Sequence, residues 1–209
     1  MLVRRLTVGP LGTNCYLVAA TPGAQAAVID PGGESARIMA EAETNDLLVV
    51  YVINTHGHSD HVAANREVME ATGAKLAIGE LDAPLLSDPV ANISAFTGEE
   101  VRSPEADVLV DDGDRLELGR LNLRIMHTPG HTAGGISILA EDVLFSGDTL
   151  FAGSVGRTDL PGGSPRQLAV SLRTKIEPLD DDVTVYPGHG ESTTIGREKL
   201  LNPFLRGDR

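Results

Sequence analysis

Leu47-Leu-Val-Val-Tyr-Val-Ile53-Asn-Thr-His56-Gly-His58-Ser-Asp60-His61 joins a run of apolar, β-prone residues to three histidines and an aspartate within six positions. The apolar part predicts a strand buried on both faces. The polar part predicts a metal site just past its C-terminal end. In extended backbone, residues two apart point the same way, so His56 and His58 can grip one ion. Gly57 is read as permitting a tight bend between them. Asp60 and His61 fall at the entry of a helix expected from about Asp60 to Thr72, turned toward a neighbouring position.

Three further apolar runs end in the same way. Leu121–Met126 leads into His127-Thr-Pro-Gly-His131, Val143–Phe145 into Ser146-Gly-Asp148, and Val183–Tyr186 into Pro187-Gly-His189. Strand ends are where open α/β architectures place their ligands. A lone histidine is more often a surface or satisfied core residue than a ligand. Here five of the six histidines, together with Asp60 and Asp148, follow buried runs, which packing alone does not explain. The sixth, His127, is separated from His131 by Pro129-Gly130, which breaks any helix between them, and it is read as structural or supporting. Imidazole and carboxylate donors suit zinc first, with iron or manganese also accommodated. The absence of cysteine ligands argues against a purely structural zinc site.

Composition limits the alternatives. The 209 residues fit one compact domain, read as 1–209, with 41% hydrophobic residues and only 3% aromatics, so Val, Leu, Ile and Ala must build the core. A net charge of -13 argues against nucleic acid or an anionic membrane surface as partner. Cys15 is the single cysteine; it lies in an apolar run and is read as a buried small hydrophobe. Neither a signal peptide nor a membrane-length apolar run is present, and a cytoplasmic location is expected. Nothing in the sequence sets an oligomeric state.

The remaining pattern alternates strands and helices. Strands are expected at Leu2–Val8, Thr13–Ala20, Ala26–Asp30 and Lys75–Ile78, with a helix over Glu34–Asn45. Glu80–Pro104 holds Pro84, Pro89, Gly98 and Pro104 and is read as a loop with short helical pieces, a substrate-side insertion or lid. Val108–Val110, Arg115–Leu118, Leu121–Met126, Ile136–Leu139 and Val143–Phe145 read as an antiparallel series. Helices are expected over Pro165–Ile176 and Ser192–Leu205. Strand-rich halves with helices at intervals suggest an α/β fold of stacked sheets covered by helices.

His56-x-His58-x-Asp60-His61, Thr128-Pro-Gly-His131, Gly147-Asp148 and Pro187-Gly-His189 together resemble the metallo-β-lactamase superfamily. The resemblance implies an αββα sandwich of two mixed sheets flanked by helices, with metals at one edge. The stretch Gly147-Asp-Thr-Leu-Phe-Ala-Gly-Ser-Val-Gly-Arg157-Thr-Asp is most similar to short bacterial relatives of glyoxalase II, the hydroxyacylglutathione hydrolases. By that resemblance His56, His58 and His131 would hold one divalent ion, Asp60, His61 and His189 a second, and Asp148 would bridge them. Asp30, in Val28-Ile-Asp30-Pro-Gly, would support the site from outside, or else simply form the turn before Pro31. Two such ions, roughly 3.5–4 Å apart, would yield a bridging hydroxide at neutral pH. Asp60 would orient or deprotonate the attacking water. No dedicated general acid is evident, and a thiolate, with a pKa of about 8.5, leaves without one. This favours a small acyl-thiol substrate, a thioester, over an amide or β-lactam.

The chain also departs from glyoxalase II. Full-length members carry a helical C-terminal region that helps bind glutathione, for which a chain ending at Arg209 leaves no room. Where the family has a Lys and a Tyr that contact the thiol peptide, this chain has Arg157 and Asp159; Arg157 is read either as a substrate contact or as paired with Asp159, which would itself repel a carboxylate. A second resemblance is to persulfide dioxygenases, which share Gly-Arg-Thr-Asp but use one iron on residues matching His56, His131 and Asp148. Their last motif usually reads Pro-Ala-His-Asp-Tyr, whereas this one reads Pro187-Gly-His189-Gly-Glu. A lactonase- or β-lactamase-like hydrolase is the third reading.

Overall fold

Strand β2 shows how the layers arise from sequence. In the computed structural model, which describes residues 1–206, every residue of Thr13–Ala19 is buried. Successive side chains point to opposite faces. Cys15, Leu17 and Ala19 therefore meet the helix residues Ile38, Ala42 and Val68, while Tyr16 and Val18 meet Leu123, Ile125 and Phe145 of a second sheet. A strand covered on both faces must be apolar throughout, and this one nearly is.

The first sheet has the order β1 (Leu2–Val8), β2, β3 (Gln25–Ile29), β4 (Leu48–Asn54), β5 (Lys75–Gly79), β6 (Val108–Val110). Its first three strands are antiparallel, and β3 through β6 run parallel. The second sheet contains β7 (Arg115–Leu118), β8 (Leu121–His127), β9 (Ile136–Ala140) and β10 (Val143–Gly147) as an antiparallel meander. A small hairpin follows, β11 (Leu150–Phe151) with β12 (Ser154–Val155). Then β13 (Thr184–Pro187) pairs parallel to β10, and β14 (Thr193–Thr194) antiparallel to β13. Helices α1 (Ser35–Thr44), α2 (Ser59–Val62) and α3 (Asn65–Thr72) belong to the first half. Helix α4 (Pro165–Ser171), α5 (Ile195–Leu201) and α6 (Pro203–Arg206) belong to the second. Leu168, Leu172, Ile176 and Ile195 pack on Met126, Leu144 and Val185 from the outer face of the second sheet. Two mixed sheets with helices outside both make the αββα sandwich.

Four elements differ from the sequence reading. The helix expected over 60–72 is two helices, because Ala64 N–H bonds Pro31 O (2.8 Å) and the Asn65 side chain turns inward to Asn54 and Ser103. Val108–Val110 does not open the antiparallel series; it adds in parallel to β5, with Asp107 Oδ2 accepting from Leu76 N–H (2.9 Å). Only the end of β4 is covered on both faces, since Leu48 is 60% exposed. The helix expected from Ser192 starts later, because Thr193–Thr194 form β14 and Thr194 Oγ1 then caps α5 by accepting from Arg197 N–H. Segment 80–104 is indeed a loop with short 3₁₀ pieces, Glu80–Leu86 and Ser94–Phe96. Among the described residues no helix is long and apolar enough to cross a membrane.

Candidate metal centre

Strands β8, β10 and β13 share one direction, so the loops after them emerge at the same end of the second sheet. The loop after β4 meets them there, tied across the layers by Ile136 N–H to Thr55 O (2.8 Å). This topology brings all seven predicted residues into one cluster.

His56, His58 and His131 form a near-equilateral set, with ring centroids 4.7–4.8 Å apart. His58 Nδ1 and His131 Nε2 stand 2.9 Å apart. Asp60, His61 and His189 form a second set, with His189 Nε2 3.2 Å from Asp60 Oδ2 and 3.3 Å from His61 Nε2. Asp148 lies between: its Oδ2 is 3.6 Å from His131 Nε2 and 3.7 Å from His189 Nε2, and its Oδ1 is 3.6 Å from His61 Nε2. Each donor set is compact enough to hold one cation, with ligand atoms within 4.8 Å of one another.

The donor chemistry fits a metal. A ligating imidazole usually gives its other nitrogen to a carbonyl, carboxylate or hydroxyl. His131 Nδ1 bonds Arg157 O (2.7 Å), His61 Nδ1 lies 3.0 Å from Asp30 Oδ2, and His56 Nδ1 lies 3.2 Å from Thr55 Oγ1. Two atoms of the cluster, His56 Nε2 and Asp148 Oδ1, are buried with no hydrogen-bond partner, as are His58 Nε2 and His61 Nδ1. Buried polar atoms are rarely left so, and an ion is one remedy.

Electrostatics divides the two sets. Burial, then the neighbouring imidazoles, lowers the pKa of His58 to about 3 and holds His56 well below the usual histidine value. Both are neutral at physiological pH, the form that ligates. Burial works the same way on His61, but Asp60, Asp30 and Asp148 outweigh it and lift its pKa to about 10. Burial likewise opposes charge on Asp60, yet His61, His189 and the Thr13 hydroxyl outweigh it and hold the carboxyl below its usual range. The second set thus calls for positive charge, which a proton on His61 supplies in the protein alone.

Glycine is required here for space. A Cβ on Gly57 would sit 2.5 Å from Leu85 Cβ, and Gly57 is absent from the positive-φ positions. Close approach of the 80–104 segment, rather than a tight bend, explains that residue.

Residues 8–189 match the metallo-beta-lactamase superfamily. The chain belongs to that superfamily. Among relatives of this metallo-β-lactamase-fold chain, hydroxyacylglutathione hydrolase GloC of Haemophilus influenzae is 38% identical over 98% of each chain. Probable metallo-hydrolase YqgX of Bacillus subtilis is 35% identical over 98% of this chain and 97% of its own. Among solved structures, BLEG-1 B3 metallo-beta-lactamase superposes with a TM-score of 0.93 at 35% identity, covering 98% of this chain and 99% of that one. ETHE1 from Myxococcus xanthus gives 0.83 at 32%, covering 99% and 85%. TTHA1623 in a di-iron-bound form gives 0.87 at 36%, covering 97% and 100%.

The other residues singled out in the superfamily chain fall as follows. Asp30 combines a turn with contacts to the cluster's loop. Its backbone is left-handed (φ 52°) before Pro31, and its carboxylate, 1% exposed, accepts from Thr55 N–H and Thr55 Oγ1, each at 2.7 Å, beside His61. Arg157 pairs with Asp159 through two bonds of 2.7 and 2.8 Å, both side chains exposed, and it is the Arg157 carbonyl that touches the cluster. His127 stands apart, its Nε2 bonded to Ala133 O (2.9 Å). Three anchors were missed by sequence reasoning. Thr13 Oγ1 donates to Asp60 Oδ2 (3.0 Å), Tyr16 OH donates to Pro187 O (2.7 Å), and Asp82 bonds two ligand-bearing loops. Their partners lie 25 to 171 positions away, so no local signal marks them.

Proposed function

We propose that the chain is a binuclear metal-dependent hydrolase that cleaves a thioester of a small acyl thiol. One observation carries the reading: two compact donor sets, His56/His58/His131 and Asp60/His61/His189, meet at Asp148, with His56 Nε2 and Asp148 Oδ1 left without hydrogen-bond partners. These seven residues would hold two divalent ions, zinc first and iron or manganese as alternatives. Bound there, such ions acidify a shared water and polarise a carbonyl oxygen. The chain's own groups do the rest. Asp60, kept ionised and bonded to Thr13 Oγ1, would orient the attacking water or take its proton at a carboxylate oxygen. His131 and His61 keep their orientation through Arg157 O and Asp30. The thiolate departs without a protonating partner. The identity to a relative named hydroxyacylglutathione hydrolase supports a thioester, and the di-iron form of TTHA1623 supports two ions.

A second reading, a mononuclear iron persulfide dioxygenase on His56, His131 and Asp148, draws on the likeness to ETHE1. Against it stands the second donor set, complete with His61 and a His189 that touches Asp60 (3.2 Å). Purified protein with its native metal should cleave an S-acyl glutathione and take up no oxygen with glutathione persulfide. Persulfide-dependent oxygen uptake without thioester cleavage would select the second reading. Hydrolysis of a β-lactam alone would select the third.

A further inference from the structure

Asp82 is 1% exposed, yet no cation pairs with it among its hydrogen-bond contacts. A carboxyl is costly to bury, and burial raises the pKa of this one against the opposing pull of the Thr132 hydroxyl and two backbone N–H donors. Its Oδ2 accepts from Gly57 N–H (3.0 Å), the amide between His56 and His58. Its Oδ1 accepts from Gly134 N–H (2.6 Å), three residues after His131. The two loops that supply the three-histidine set are therefore joined through one side chain that touches neither ion-facing nitrogen.

The surroundings are shaped for this contact. A Cβ at Gly134 would sit 2.3 Å from Asp82 N and 2.8 Å from Asp82 Oδ1, and the one at Gly57 would collide with Leu85. Both partner amides are glycine because the backbone of Glu80–Leu86 packs directly on them. The segment is itself held: Asn92 Nδ2 donates to Leu85 O and Val101 O, and Asn92 O accepts from Ser59 N–H (3.1 Å). Fastened in this way, Glu80–Leu86 lies against both ligand loops.

We propose that Asp82 is the positioning residue of the three-histidine half of the centre: it fixes the spacing between the His56/His58 loop and the His131 loop, and with it the affinity of that half for its ion. The proposal rests on the binuclear reading above. It predicts a selective effect. Asn at position 82 keeps the shape but offers one acceptor oxygen to two N–H donors, so one loop is released and an N–H faces an NH₂. Supporting groups of this kind typically change metal affinity by about 10–100-fold.

The test is stepwise titration of Zn²⁺ and Co²⁺ into the metal-free full chain, followed by calorimetry and by the cobalt absorption spectrum. D82N is compared with wild type, with T13V, and with S94A. Ser94 Oγ bonds Asn92 Oδ1 and Val101 N–H within the same segment and touches neither ligand loop. The expected result is that D82N weakens one of two binding steps by about 10–100-fold and alters the spectrum of that step only. T13V should weaken the other step, and S94A should lower Tm with both affinities unchanged. If D82N weakens both steps equally, or neither, while wild type binds two ions, Asp82 is a structural residue only and the inference fails alone. If wild type binds a single ion, the binuclear reading fails and carries the inference with it. D82A, which removes both acceptors, should deepen the D82N effect; restoration of affinity in D82A would also overturn it.

Discussion

A Cβ added at Gly188 would lie 2.2 Å from Asp148 Oδ1 and 2.8 Å from His61 Cε1, so the residue before His189 has no room for a side chain. G188A should therefore displace the one carboxylate shared by both donor sets. The expected outcome is at least a 100-fold loss of kcat and fewer than two bound ions, with unchanged far-ultraviolet circular dichroism. Asp30 acts from the other side. D30A leaves Thr55 N–H and Thr55 Oγ1 without their acceptor and His61 Nδ1 without its carboxylate. Each buried donor so stranded costs about 1–3 kcal/mol, so D30A should both lower Tm and weaken metal binding. A variant that lost neither would remove Asp30 from the account. At this scale the seven ligand candidates were legible because ligating chemistry needs His and Asp side chains in a recognisable spacing. Thr13 and Asp82 were not, since a hydroxyl or carboxylate bonded to a distant partner leaves no pattern in the chain.

Elements set where those side chains meet. Strand β2 is apolar enough to lie between both layers, yet its N-terminal end turns polar to hold the His189 loop. Asn14 Nδ2 bonds Pro187 O and Gly190 O, and Tyr16 OH bonds Pro187 O. Y16F should cost about 1 kcal/mol of stability and reduce activity by more than its stability loss explains, measured by denaturant melts alongside kcat. Helix α5 offers the contrasting case. Glu198, fully buried, accepts from Thr193 Oγ1 (2.7 Å), Gly153 N–H (2.8 Å) and Asn202 Nδ2 (2.8 Å). E198A should lower stability by about 2–4 kcal/mol, a Tm drop of roughly 5–15 °C, while kcat of the folded fraction stays near wild type. Strands with period-two burial, such as Leu121–His127, were readable directly. Helix boundaries were not: the Ala64 bond to Pro31 and the Asn65 turn toward Asn54 are tertiary events that override a continuous helical pattern.

At the scale of the molecule, stacked sheets covered by helices were legible from strand-rich halves with helices at intervals, and the αββα order from the resemblance that the ligand motifs carry. The parallel placement of β6 was not, because a three-residue strand carries no mark of its partner. The two halves meet along an apolar interior of aliphatic side chains with Tyr16 and Phe145, and the centre sits where loops from both halves converge. An ion bound by both halves stabilises the native state by mass action. Removing it with a chelator should lower Tm, and adding Zn²⁺ back should restore it. The most direct test of the central claim is the metal equivalence of activity: thioester hydrolysis measured as Zn²⁺, Mn²⁺ or Fe²⁺ is titrated into the chelated chain. Two donor sets joined by Asp148 predict that activity rises until two equivalents per chain are bound. Saturation at one equivalent of iron, with persulfide-dependent oxygen uptake in place of hydrolysis, would contradict it.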